Sequence, residues 1–311
     1  MMHADNLTLH LNPVHVPQVK SLRILTLNLF LRPPLVKNNE SDHKEARTAY
    51  FCENVLDDYD IVCLQEVFST FNTRRSQIIS AAQKKGFPYS CHSPSPGFFR
   101  AQAIDGGLLI LSRYPIVESD FCGFGNGLFP DVFSFKGVLQ AKIQAGHKDL
   151  QVFTLHAQAT YPGNDPDITE LYVQARKEQI AHTVKFIRKK TEGTQDPIVL
   201  VGDFNINAKS EEYLDLVSSL EDLDLSDLLR VKYEESPSTY GIKLVNGEPE
   251  ETVLSHRNEC LNDTAIDYIF LSNSGGVTPL MEFTHTCPFY TTGEPFTRIS
   301  DHYGVQTVLS L

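Results

Sequence analysis

Polar residues that can bind metal ions or move protons follow several apolar runs of this sequence. Asn28 comes after RILTL, Glu66 after IVCLQ, His156 after VFTL and Asp203 after IVLVG, and Asn205 stands two residues beyond Asp203. One such residue alone is usually a turn former or a helix cap. Because the same relation to an apolar run recurs, we expect these side chains to meet in one site.

Further candidates lie near the end of the sequence, where Asp267 occurs in AIDYIF and Asp301 and His302 occur in SDHYGV. Carboxylate and amide oxygens are the ligands that Mg²⁺ prefers, so a cleft with Asn28, Glu66 and Asp301 is suited to this ion, with Mn²⁺ as a substitute. Zinc fits less well, because no Cys/His ligand spacing occurs. A metal ion, carboxylates and imidazoles together supply what phosphate ester hydrolysis needs. The sequence therefore predicts a metal-dependent phosphodiesterase.

The elements that must position these residues are mostly short apolar, β-branched runs, which indicate strands. They lie at 22–30, 60–68, 106–117, 137–144, 150–158, 197–205, 265–272 and 304–311. Helical spacing at 42–57 and 168–190 predicts two helices. Proline- and glycine-containing stretches are the predicted surface loops, at 93–107, 121–131, 232–250 and 286–300. Since every sheet face must pack against another layer, we expect packed sheets flanked by helices.

The composition alone allows one large domain or two small ones, and the absence of a dividing segment favours one. The chain has 311 residues, of which 41% are hydrophobic, and neither an internal repeat nor a low-complexity linker divides it. We therefore predict a single domain at 21–311 that follows an N-terminal extension at 1–20. The net charge of −12 argues against nonspecific binding of nucleic acid, although a nuclease with a local basic groove stays open.

The sequence also bears on location. No stretch approaches the roughly 18 uncharged apolar residues of a membrane-spanning helix, and the first residues lack the pattern of a signal peptide. Six cysteines without C-x-x-C spacing favour a reducing compartment. We expect a monomeric, cytoplasmic protein that is peripheral to membranes, while secretion stays open if a signal peptide has been removed.

Five motifs, LNLF, LQEVF, VGDFNIN, IDYIF and SDHYGV, are spread over nearly the whole chain. They resemble the signature pieces of the endonuclease/exonuclease/phosphatase superfamily. The resemblance implies an α+β fold of the DNase I-like type, a four-layer αββα sandwich of two mainly antiparallel sheets flanked by helices. It places Glu66 and Asn28 near the metal, at one rim of the two sheets.

The same resemblance implies the catalytic residues. Asp203 and Asn205 would position the attacking water or the phosphate, and Asp267 would orient His302. His156 lies in FTLHAQATYPG, which is similar to an element of neutral sphingomyelinases in which a histidine takes the place of a tyrosine found in many nucleases. The implied activity is hydrolysis of sphingomyelin to ceramide and phosphocholine.

A further stretch, DVFSFKGVLQAKI, matches the Asp-x4-Lys-Gly pattern of that family. It makes Asp131 and Lys136, together with Gln158, the predicted substrate-binding residues; a loop carboxylate and a solvated strand lysine are the simpler alternative. The sequence lacks the P-A-W-C-D-R-I element of inositol polyphosphate 5-phosphatases. A nuclease, a nucleotide or other lipid phosphodiesterase on this scaffold, and an inactive binding scaffold are the competing hypotheses.

Two aromatic-rich loops are candidates for contact with a phospholipid membrane, at 93–100 and 287–296. In the second loop we predict that Phe289, Tyr290 and Phe296 enter the headgroup region, provided that they are exposed. The alternative is that these rings fill the end of the sandwich.

Overall fold

The computed structural model of the chain describes residues 19–39, 41–97, 102–125, 127–161, 166–245, 248–251, 253–254 and 264–311. In chain order the elements are β1 (Ser21–Leu31), α1 (Lys44–Asn54), β2 (Ile61–Val67), α2 (Arg74–Lys84), β3 (Tyr89–His92), β4 (Leu109–Ser112), β5 (Ile116–Gly123), β6 (Gly137–Ala145), β7 (Lys148–His156), α3 (Pro166–Thr191), β8 (Ile198–Asp203), α4 (Glu211–Leu220), β9 (Leu225–Asp227), α5 (Leu228–Lys232), β10 (Leu244–Val245), β11 (Glu248–Pro249), β12 (Asp267–Ser272), β13 (Thr278–Cys287) and β14 (Gly304–Ser310). Nearly all of the predicted N-terminal extension, 1–18, lies outside the described residues.

Two six-stranded sheets contain all of these strands except the short pair β10–β11. The first sheet has the order β13-β14-β1-β2-β4-β3, and the second has the order β5-β6-β7-β8-β12-β9. Each sheet contains one parallel pair, β1–β2 in the first and β7–β8 in the second, and the other pairs are antiparallel. The prediction of two mainly antiparallel sheets is confirmed.

Alternate side chains of the central strands face different layers, as the pleat of a strand requires. In β1, Ile24 joins the cluster between the two sheets, whereas Leu25 packs toward α1 and α2 with Phe51 and Ile78. On the far side, α3 and α4 cover the second sheet. Because both faces of these strands are buried, their sequences read as continuous apolar runs. The αββα layering is therefore the one that the resemblance implied.

Two strand predictions differ from the structure. The run 106–117 is not one strand, because β4 lies in the first sheet and β5 in the second, with Pro115 in the short crossing between them. Strand β13 at the edge of the first sheet was not predicted. Most of its side chains are at least partly exposed, and it therefore lacks the apolar run of a central strand.

The two predicted helices are confirmed as α1 and α3, within a few residues at each end. Among the described residues, none of the helices has both the length and the apolar character that crossing a bilayer requires.

Candidate active site

The polar residues predicted from strand ends meet because of the two parallel pairs. Asn28 and Glu66 lie at the carboxyl ends of β1 and β2, and His156 and Asp203 are register partners at the ends of β7 and β8. Asp267 begins β12 directly opposite Asp203. The carboxyl ends of parallel strands share one edge of a sheet. Both sheets therefore contribute to a single rim.

The backbone at this rim is unusual at three cavity-lining residues, one of which is Phe30 with a φ angle of 52°. Glu66 and Asn205 have positive φ angles of 56° and 54°, which non-glycine residues adopt infrequently and often at functional sites. Gly107 packs so closely against Glu66 that a Cβ atom there would lie 3.1 Å from the Glu66 Cα. The backbone N–H of Asn205 donates to Asp203 Oδ1 at 3.0 Å, and this hydrogen bond orients the Asp203 carboxylate.

Asn28 connects the two sheets through its side-chain amide. Its Nδ2 donates to Asp203 Oδ2 at 3.0 Å and to Glu66 Oε1 at 3.3 Å. Its Oδ1 accepts the Phe30 backbone N–H at 3.0 Å. In this arrangement Asn28 holds two carboxylates together beside the cavity, and its role as a metal ligand stays a prediction.

His302 is held by carboxylates on two sides. Its Nδ1 donates to Asp267 Oδ2 at 2.9 Å, and its Nε2 lies 3.8 Å from Asp203 Oδ2. Burial lowers the pKa of His302, but the negative charges of Asp267, Asp203 and Asp301 outweigh this and raise the pKa to about 10. The hydrogen bond from Nδ1 has the geometry that an orienting role for Asp267 requires.

His156 has the opposite electrostatic environment. Its Nε2 lies 3.5 Å from Asp203 Oδ2 and accepts a hydrogen bond from Lys136 Nζ at 3.1 Å. Burial and the charges of Lys136 and His302 hold the pKa of His156 well below its usual value. Burial and the adjacent Asp267 raise the pKa of Asp203 to about 6. The site thus pairs a neutral imidazole with a charged one across a shared carboxylate.

Asp131, Lys136 and Gln158 lie behind the site. Lys136 Nζ donates to Asp131 Oδ2 at 2.7 Å, and Asp131 Oδ1 accepts the Tyr161 hydroxyl at 2.9 Å. Gln158 is fully buried and donates to the Ala159 carbonyl. Lys136 and Asp131 thus hold His156 and Tyr161 in place, and direct contact of the three predicted side chains with substrate stays a prediction.

A cavity of about 330 Å³ opens over the rim. It is lined by Phe30, Arg32, Asn38, Glu66, His156, Ala159, Thr160, Tyr161, Asp203, Asn205, Tyr240, Ile266, Asp301 and His302. Eight of these residues were not predicted, among them Arg32, Tyr161 and Tyr240. The Arg32 guanidinium lies 4.1 Å from the centre of the Phe30 ring, and its Nε is buried without a hydrogen-bond partner in the described part of the chain. The one feature of the sequence that could have indicated Arg32 is its position four residues after Asn28.

The donor set of this cavity fits a divalent cation. Glu66 Oε2 is buried and has no hydrogen-bond partner among the described residues, and burial raises the pKa of Glu66. Asp301 lines the same cavity, and ligand atoms of Asp203, Asp267 and His302 lie within 4.8 Å of one another. An unsatisfied buried carboxylate oxygen is costly unless a cation or a donor reaches it. These residues are therefore compatible with Mg²⁺.

The predicted membrane contacts in the loop 287–296 are mostly wrong. Phe296 is only 2% exposed and packs against Tyr50 in the core, and the half-buried Phe289 ring lies close to Gly304. Tyr290 is 55% exposed, but its hydroxyl donates to Glu250. The Phe289 and Phe296 rings fill the end of the sandwich, where the loop packs against the first sheet. Phe98, Phe99 and Arg100 of the other loop lie outside the described residues.

Comparison with known proteins points to one family. The sequence model of the Endonuclease/Exonuclease/phosphatase family matches residues 25–302. A sphingomyelinase of Dictyostelium discoideum is 30% identical over 90% of this chain and 77% of its own length. Sphingomyelinase C 2 of Leptospira interrogans is 26% identical over 91% of this chain but only 45% of its own length.

Solved structures share the fold. Sphingomyelinase C from Streptomyces griseocarneus superposes with a TM-score of 0.67 at 23% identity, covering 93% of this chain and 99% of that one. A beta toxin mutant from Staphylococcus aureus with bound magnesium ions gives 0.62 at 21% identity, with 92% and 99% covered. D. rerio TDP2 complexed with single strand DNA product gives 0.63 at 16% identity, with 94% and 99% covered. The fold alone therefore does not select a substrate.

Proposed function

Because the chain belongs to the endonuclease/exonuclease/phosphatase family, we propose that it is a Mg²⁺-dependent phospholipase C of the sphingomyelinase type. It hydrolyses sphingomyelin to ceramide and phosphocholine. The observation that carries the proposal is the convergence of two imidazoles, His156 and His302, on Asp203 beside the partnerless Glu66 oxygen. This set provides proton transfer and cation binding within one cavity.

Each group of residues has a separate role in hydrolysis of the phosphodiester. Glu66 and Asp301 hold Mg²⁺, which supplies positive charge to the phosphoryl oxygens when it is bound. The Asp203–His302 pair takes the proton of the attacking water as one unit, because both groups are buried and their side-chain atoms lie 3.8 Å apart. Asn205 and His156 position the phosphoryl group at the other side of the cavity. Lys136 is a positioning residue that acts through His156.

A lipid diester is favoured over nucleic acid by the relatives and by charge. Both sphingomyelinases reported above match about nine tenths of this chain. Arg32 is the only lysine or arginine among the described residues that line the cavity. A nonspecific nuclease needs a basic groove and stacking aromatics along a strand. A nuclease remains the alternative that the substrate assay tests.

We also propose that residues 21–311 form a single catalytic domain. The cluster between the sheets joins Ile24 and Ile61 of the first sheet to Val152 and Val199 of the second. The monomeric state stays a prediction. A cytoplasmic location stays a prediction.

The substrate assay offers purified protein with Mg²⁺ or Mn²⁺ four substrates in parallel: sphingomyelin, phosphatidylcholine, lysophospholipid and a DNA duplex. We expect phosphocholine from sphingomyelin and no cleavage of the duplex, and addition of a chelator should stop turnover. Cleavage of DNA without release of phosphocholine would establish the nuclease instead. Turnover that persists in excess chelator would remove the metal from the proposal.

Asp267→Asn should behave as a weaker form of the His302 variant. The substitution keeps a hydrogen-bond acceptor but removes the charge, so the pKa of His302 should fall from about 10. The acidic limb of the pH–rate profile should move to lower pH. Profiles and NMR titrations of the imidazole that superimpose on those of the wild type would exclude Asp267 from the site.

The raised pKa of His302 also determines how the stability of the folded protein changes with pH. The pKa of His302 in the folded metal-free protein lies above the value of about 6.5 for an unfolded histidine. Its contribution to folding is therefore complete below about pH 6.5 and is lost as pH rises through about 10. The free energy of unfolding of the wild type should exceed that of Asp267→Asn below about pH 6.5, and the difference should shrink as pH rises to about 10.

A further inference from the structure

Four large apolar side chains project from loops at the catalytic rim. Leu35 is 96% exposed, Phe71 is 90%, Phe129 is 73% and Phe133 is 50% exposed. We call these four residues the apolar arc. Single exposed apolar residues are normal on a protein surface, but several large ones on loops that border one cavity indicate an interaction site.

Hydrogen bonds connect the first two members of the apolar arc. The Arg74 side chain donates to the Arg32 carbonyl at 2.9 Å, which ties the loop that carries Leu35 to the start of α2. The Arg74 backbone N–H donates to Asn72 Oδ1 at 3.1 Å, directly beside Phe71. Leu35 and Phe71 thus stand on neighbouring loops that are fixed to each other.

The arc continues from Phe71 to the other two rings. Thr70 donates through its hydroxyl to Asp105 Oδ2 at 3.1 Å. The backbone N–H of Ile104 donates to the Phe133 carbonyl at 3.0 Å. The centres of the Phe129 and Phe133 rings are 6.2 Å apart in an edge-to-face contact. The loops that carry the four side chains are therefore linked to one another.

Both ends of the apolar arc adjoin the cavity. At one end, Leu35 lies between Arg32 and Asn38, which both line the cavity. At the other end, Asp131 stands between the two phenylalanines in sequence and accepts the hydroxyl of Tyr161, which also lines the cavity. A surface in contact with the arc would cover part of the cavity mouth.

The backbone holds the two most exposed members in an uncommon conformation. Leu35 and Phe71 have positive φ angles of 73° and 60°, which are outliers for bulky residues and which glycine or asparagine would adopt more readily. Because both side chains are almost fully exposed, burial of apolar surface does not offset the free-energy cost of this conformation. Strain of this kind is found where function requires a particular presentation of a side chain.

We propose that this protein docks on a phospholipid bilayer through the apolar arc, with the cavity mouth facing the lipid. The inference rests on the proposed function, because a diester whose chains lie in a bilayer must be reached at its surface. Isolated apolar tips separated by Asn38, Thr70 and Asn72 suit the headgroup region, where apolar and polar groups alternate. Since the net charge of −12 does not favour anionic lipid, apolar insertion drives the docking. This face replaces the loop 287–296 as the membrane contact.

The test measures binding to vesicles that the enzyme should not consume. Sucrose-loaded vesicles of phosphatidylcholine are sedimented in excess chelator, which stops turnover, with the wild type, Leu35→Asn, Phe71→Asn and the double variant. Asparagine tolerates positive φ, so these changes remove the apolar group and keep the backbone. Each single variant should bind about tenfold more weakly, and the double variant more weakly still. Val231→Gln removes a side chain that is 62% exposed on α5, outside the arc, and is the matched control.

The following results distinguish the docking proposal from the proposed function. Hydrolysis of a monomeric, short-chain sphingomyelin analogue should be equal in all of these variants, and vesicle binding should change little between 0.1 and 0.5 M NaCl, conditions that screen charges strongly. Wild-type protein that binds vesicles through the arc but hydrolyses no choline phosphodiester would refute the function and leave the docking intact. Equal vesicle binding by the wild type and the double variant would overturn the docking. Concentration-dependent dimerisation that is lost in the double variant would assign the arc to a second copy of the chain and would also overturn it.

Discussion

Replacing Asp203 by asparagine or His302 by alanine should lower kcat for sphingomyelin by at least ~10²-fold, with a much smaller change in KM. His302 Nε2 lies 3.8 Å from Asp203 Oδ2, and both groups are buried at the floor of one cavity. Two groups that handle one proton act as a unit. The double variant should therefore be about as slow as the slower single variant.

Two further variants at the same rim extend this prediction. Asn205→Ala and His156→Ala should also lower kcat by at least ~10²-fold, since each removes one electrostatic element of the site. Circular dichroism and thermal unfolding establish that the variants are folded. If a substitution at Asp203 or His302 raised only KM, that residue would merely bind substrate. Fully additive losses in the double variant would refute the paired role.

Replacing Glu66 by glutamine should abolish metal-dependent turnover and leave the protein folded. The isosteric change keeps an acceptor for Asn28 Nδ2 but removes the negative charge next to the partnerless Oε2 atom. Removal of a buried, poorly satisfied charge creates no cavity and relieves a desolvation cost. We therefore expect the metal-free variant to be at least as stable as the metal-free wild type.

Calorimetry and thermal unfolding with added Mg²⁺ measure this effect without any assay of activity. A ligand that binds only the native state raises Tm, so Mg²⁺ should raise the Tm of the wild type and not that of Glu66→Gln. Glu118→Gln is the matched control, because Glu118 is a half-exposed carboxylate on β5 that pairs with Lys190. An unchanged Mg²⁺ response in Glu66→Gln would show that the cation is held elsewhere.

The sequence was informative about the central strands and uninformative about the edges. Central strands such as β1 and β8 bury both faces, so their apolar runs and the polar residues at their ends are visible. Edge strand β13 is half exposed, and its mixed composition resembles that of a loop. The parallel pairing that brings His156 beside Asp203 could be expected only from the family resemblance.

The rest of the site depends on contacts that spacing does not show. Arg32 and Tyr240 reach the cavity from loops, and the Tyr240 ring lies 4.8 Å from that of His302 across 62 positions of sequence. Aromatic residues in a loop have the same composition whether they are exposed or buried. For this reason Phe296 was assigned to the membrane although it packs in the core, and Phe71 was overlooked although it is nearly fully exposed.

The products of sphingomyelin hydrolysis in water enriched in oxygen-18 test the central claim most directly. Attack of water on phosphorus with release of the lipid alcohol should yield phosphocholine that carries one heavy oxygen, together with unlabelled ceramide, and mass spectrometry identifies both. The yield should depend on added Mg²⁺ and should vanish for Glu66→Gln. Free choline with ceramide phosphate, or an absence of labelled phosphocholine while DNA is cleaved, would contradict the assignment of this protein as a sphingomyelinase-type phospholipase C.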